Sequence, residues 1–160
     1  MQKTRYRSPV LIVMVFLAAC LSAEVPGLAQ TKPQEQLREL GEAEFALNVG
    51  KFDRAIELLT SAIAKKPDEA PIYLARALAY SRKGDYDKSI ADLKTVTQMK
   101  NPDAALEAYN LLGRIYEIKK DYASAQKAYQ DALSRAKDPA TKRLLEQWIE
   151  EAGARLQKRK

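Results

Sequence analysis

Histidine is absent from this chain of 160 residues, and cysteine and tryptophan occur once each. Without histidine there is no Ser-His or Cys-His pair, no imidazole base and none of the commonest metal ligand. The lone cysteine, Cys20, excludes a disulfide within the chain and any cysteine-rich zinc site. Six glycines are scattered, and none builds a phosphate-cradling loop; Gly50 and Gly84 are isolated turn glycines. The carboxylates show no calcium-loop spacing, and pairs such as Glu150-Glu151 fall among alternating charges that read as a solvated helix face. No catalytic residue, metal site or cofactor is expected, and the chain reads as non-enzymatic.

What remains is ordinary for one folded domain with appendages. Apolar residues make up 46% of the chain and charged residues 30%. The net charge is +6, but residues 1–19 carry Lys3, Arg5 and Arg7 and no acid, so half of the excess belongs to that segment. A nucleic-acid partner is therefore not expected.

The first 19 residues read as a signal peptide. A basic start is followed by the apolar run Val10 to Leu21. Twelve helical residues span roughly 18 Å, short of a hydrocarbon core of roughly 30 Å. Leu17-Ala18-Ala19-Cys20 resembles the bacterial lipoprotein box. The resemblance implies that the Cys20 thiol is acylated and that cleavage leaves Cys20 as the first mature residue. It also implies a Gram-negative outer membrane, since Leu21 rather than Asp follows the cysteine. Each buried methylene of an acyl chain adds roughly 0.8 kcal/mol of membrane affinity. The alternative is ordinary cleavage after Gly27-Leu28-Ala29, which gives a soluble periplasmic or secreted chain without cysteine. Either way residues 20–34 read as a flexible tether, because Pro26, Gly27 and Pro33 interrupt a helix.

Beyond the tether, self-similarity dominates. Gly50-Lys51-Phe52-Asp53 recurs as Gly84-Asp85-Tyr86-Asp87 and again as Lys120-Asp121-Tyr122-Ala123. After each corner Ala55, Ser89 and Ala125 align, then Leu59, Leu93 and Tyr129, then Ala62, Val96 and Ala132. Before the corners Ala43, Ala77 and Gly113 align, small residues where two helix backbones must approach closely. Pro67, Pro102 and Pro139 close the units. The periodicity predicts helices over 34–48, 52–66, 70–83, 86–99, 103–119 and 122–136. A last amphipathic helix carries Leu145, Trp148, Ile149, Ala152 and Leu156 on one face, with a basic tail ending at Lys160.

This pattern resembles the tetratricopeptide repeat family, whose unit is a helix–turn–helix of about 34 residues. The resemblance implies an all-α, right-handed α-solenoid of three repeats, 36–69, 70–105 and 106–139, within residues 35–139. Residues 140–160 then form a capping helix and tail, the wet and greasy faces that a solenoid end needs. The departures are Lys120 for the corner glycine, Glu39 for an aromatic residue, and extra residues around Lys100 to Asp103.

In this family, ligands lie in a concave groove lined by the first helix of each unit. Position by position, that implies Leu40, Glu44, Leu47 and Asn48 from the first unit. Leu74, Leu78, Ser81 and Arg82 come from the second, and Asn110, Arg114 and Glu117 from the third. Family members that bind acidic chaperone tails place Lys and Asn where Leu40 and Glu44 stand, so that ligand class is not expected. The expected role is a scaffold or adaptor of the bacterial cell envelope. It would bind a peptide or protein partner through the groove and the membrane through Cys20. A less favoured alternative is an accessory subunit of an envelope enzyme.

Overall fold

Among the described residues, seven amphipathic stretches, each ended by a proline, a cap or a left-handed corner, become seven helices. The computed structural model describes residues 32–158, with side chains from residue 38 onward. The signal peptide, Cys20, the alternative cleavage site and most of the tether lie outside the described residues. The helices are α1 (Lys32–Asn48), α2 (Phe52–Lys65), α3 (Ala70–Lys83), α4 (Tyr86–Gln98), α5 (Pro102–Ile118), α6 (Tyr122–Leu133) and α7 (Pro139–Gln157). No strand occurs among the described residues.

The starts have local causes. Pro71, Pro102 and Pro139 stand in first turns, where a missing N–H costs nothing. Asn101, Asp121 and Asp138 cap α5, α6 and α7 by accepting backbone N–H bonds from Ala104, Ser124 and Thr141. Hydrogen bonding from the Thr141 side chain, and then from its backbone N–H, holds the Asp138 carboxyl below its usual range. Pro33, expected to interrupt a helix at the end of the tether, instead falls in the first turn of α1. The physical reason is the same tolerance for proline at a helix start.

The corners repeat. Gly50 and Gly84 have φ of +76° and +95°. At the third corner Lys120 adopts φ +59°, the backbone that its sequence alignment with the two glycines demands. Consecutive corners are joined by ion pairs, Lys83 with Asp53 and Lys119 with Asp87. Each links the end of one unit's first helix to the start of the preceding unit's second.

Packing follows the repeat. Ala43, Ala46 and Leu47 of α1 meet Ala55, Leu58, Leu59 and Ala62 of α2, with Ile72 and Ala79 of α3 closing over them. A second cluster joins Leu74 and Ala77 to Ile90, Leu93 and Val96, and to Ala104, Ala108 and Leu112. The last joins Ala125, Tyr129 and Ala132 to Leu145 and Ala152 of α7, so α7 covers the final unit. No hairpin buries its own apolar face; each is sheltered by the next. α6 ends at Leu133, sooner than the periodicity predicts, and Ala136 is still buried in the turn that follows.

Candidate functional site

The face made by the first helices, α1, α3 and α5, carries the residues read from the repeat alignment. Among them Glu44, Asn48, Arg82 and Arg114 are exposed, Leu40 is 36% exposed, and Leu78, Ser81, Asn110 and Glu117 are half-buried. Leu47 and Leu74 are different. They are buried, at 7% and 9% exposure. Leu47 packs beneath Ile72 and Ala79, and Leu74 packs with Ala104 and Ala108. These two leucines hold neighbouring units together and offer little surface to a ligand. The cause is the stacking itself, since α3 meets both α2 and α5.

Several polar groups of this face already have work within the fold. Arg82 Nη1 donates to the Leu47 carbonyl at 3.3 Å, tying α3 to α1. Glu117 accepts from the Tyr129 hydroxyl and from Arg155 Nη1, each at 3.2 Å. Burial, reinforced by Glu117, pushes the Tyr129 phenol well above its usual range. Asn110 differs from these. Its Oδ1 is buried and has no hydrogen-bond partner among the described residues. Leaving a buried acceptor unpaired costs about 1–3 kcal/mol, so Asn110 is retained at a cost in stability.

Sequence reasoning missed one polar element. Arg76 of α3 forks onto Asp92 of α4 through Nε and Nη2 at 2.8 and 2.7 Å, and reaches Thr60 Oγ1 of α2 at 3.0 Å. The Arg76 guanidinium also lies 5.7 and 5.9 Å from the ring centroids of Tyr73 and Tyr80. The bond to Asp92 holds Arg76 charged beyond its usual range. This cluster spans three helices and reads as structural. The repeated tyrosines are likewise used inside the fold: Arg135 stands 4.5 Å above Tyr109, and Tyr129 packs on Trp148 with centroids 5.4 Å apart. Among the described residues no cluster of three or more acidic or cysteine side chains could hold a metal ion.

Residues 68–138 match the tetratricopeptide repeat family, and the described helices form an all-α solenoid of such repeats. Among curated proteins, the chain is 34% identical over 106 residues to the heat-shock protein cognate (HSC) co-chaperone sgt12 of Aspergillus fumigatus. That match covers 66% of this chain and 30% of the relative. It is 28% identical over 96 residues to tetratricopeptide repeat protein 12 of Mus musculus, covering 60% of this chain and 13% of that one. The chain thus spans less than a third of the length of these relatives. Among solved structures, the Sgt2 TPR domain from Aspergillus fumigatus superposes with a TM-score of 0.64 at 24% identity, over 77% of this chain and 80% of that one. The TPR2B domain of yeast Sti1, solved in a pHsp70 complex, gives 0.66 at 21% identity, over 74% and 96%. At these identities the likeness concerns the fold. Tetratricopeptide domains typically mediate protein–protein interaction.

Proposed function

We propose that this protein is a non-enzymatic adaptor of a bacterial cell envelope. It is anchored through acylated Cys20 and docks a peptide or partner protein on the face of α1, α3 and α5. The observation that carries the docking reading is the face itself, which exposes Leu40, Arg82 and Arg114 and leaves Leu78 and Asn110 half-buried. Apolar patches beside a few polar groups suit a peptide that is gripped by side chains and oriented by hydrogen bonds. Because stacked helices hold this face in place, little ordering entropy is lost by the protein on binding. A lipid anchor would raise the local concentration of the face at the membrane.

The likeness to co-chaperones does not carry an acidic chaperone tail to this face. Leu40 offers no charge, and Glu44 is an exposed carboxylate that repels one. The second reading, a soluble chain released by cleavage after Ala29, rests on Gly27-Leu28-Ala29 alone.

Two measurements test the proposal. Mass spectrometry of the mature N-terminus should find an acylated Cys20; a chain beginning at Gln30 would refute the anchor. Partner capture from cells should fall severalfold in Leu40→Glu with Leu78→Glu while the far-ultraviolet circular dichroism is unchanged. An unaltered captured set from the folded variant would refute the docking face.

A further inference from the structure

Grooves at the two ends of the helical stack differ in the charge of their lining, and both are apolar at the centre. At the first end, α1 and α2 enclose a groove of about 530 Å³. Phe45 and Leu58 line it, with Arg38, Lys51, Arg54 and one carboxylate, Glu42, around them. Phe45 is 66% exposed and Val49, one turn on, 48%. Arg38 and Arg54 share Glu42 loosely, at 3.5 and 4.0 Å. Arg54 also meets Glu57 at 2.9 Å, and Lys51 has no ion pair among the described residues. This rim is net positive.

At the other end, α6 and α7 enclose a groove of about 600 Å³ whose apolar lining is Leu133, Ile149, Gly153 and Ala154. The charged groups lining it are Glu146 and Glu150, and neither forms an ion pair among the described residues. No lysine or arginine lines it. The charged lining of this groove is acidic, with Lys142, Arg143, Arg155 and Lys158 elsewhere along α7 and its end; Gln126 packs over Gly153, and Ala154 is exposed.

A repeat array shelters each hairpin with its neighbour, so the two ends expose what an interior unit would bury. Exposed apolar side chains rimmed by charge mark interaction surfaces. Like ends repel each other here, and unlike ends attract. We infer that copies of this chain associate head to tail. The α1/α2 end of one copy seats Phe45 against Leu133 and Ile149 in the α6/α7 groove of the next. The basic rim then meets Glu146 and Glu150. Such a contact uses two different surfaces and is not closed by pairing, so it propagates from copy to copy. Its charge complementarity makes it salt-sensitive.

Sedimentation of the full chain over a dilution series tests this, in detergent if the chain is acylated. Phe45→Glu spoils one end and Ala154→Arg the other; both positions are exposed, so the fold is retained. The wild-type mass should rise with concentration past that of two copies, and association should weaken roughly tenfold at high salt. Each variant alone should stay monomeric. An equimolar mixture should form pairs and stop there, because only one intact end of each kind remains. A wild-type chain that stays monomeric, whatever covers Phe45, overturns the inference. So does a plateau at two copies that both variants preserve, or a mixture that remains monomeric.

Discussion

Among the described glycines, Gly113 has the least room, hard against Tyr129. A Cβ at position 113 would lie 2.3 to 2.7 Å from three atoms of the Tyr129 ring. That ring is 1% exposed and packs on Trp148. Gly113→Ala must therefore push a buried aromatic off its neighbour. Overpacking of this kind costs about 1–3 kcal/mol, and urea denaturation should find a loss in that range with the near-ultraviolet signal of Trp148 altered. Asn110 points the other way. Asn110→Leu removes a buried acceptor that has no donor. We expect stability to rise by about 1 kcal/mol, measured by the same denaturation, while partner capture weakens. A variant that gained stability and kept full capture would show that Asn110 serves no ligand.

At the scale of helices, α3 is held by more than apolar packing. Arg76 and Asp92 are only 16% and 9% exposed at their side chains. Removing one member leaves the other charge buried, at about 3 kcal/mol or more. Asp92→Ala should therefore lower the denaturation midpoint strongly, whereas Arg76→Met with Asp92→Leu should cost much less. The helices themselves were legible because three signals agreed: the 34-residue recurrence, the prolines that open α5 and α7, and the corner residues Gly50 and Gly84. Gly113 was legible too, since a small residue aligned with Ala43 and Ala77 announces close approach. Arg76 was not. A single arginine between Ala75 and Ala77 gives no sign of its partners, and its length lets it reach Thr60 and Asp92 on two other helices. The family resemblance assigns Leu47 and Leu74 to the groove beside Asn48 and Leu78. Matching positions does not show that a neighbouring unit covers them.

For the whole molecule, stacking explains both the solenoid and its surfaces. The face of first helices is preformed because the burial of Leu47, Leu74 and Leu112 fixes α1, α3 and α5 together. Docking on that face is the claim on which the functional account stands. Photocrosslinking in cells, from a probe placed in turn at Leu78, Arg114 and Lys94, tests it most directly. Leu78 and Arg114 belong to the first helices; Lys94 lies exposed on α4, a second helix. The account predicts one partner captured at Leu78 and Arg114 and absent at Lys94. Capture of that partner at Lys94 alone, or equally at all three positions, would contradict it.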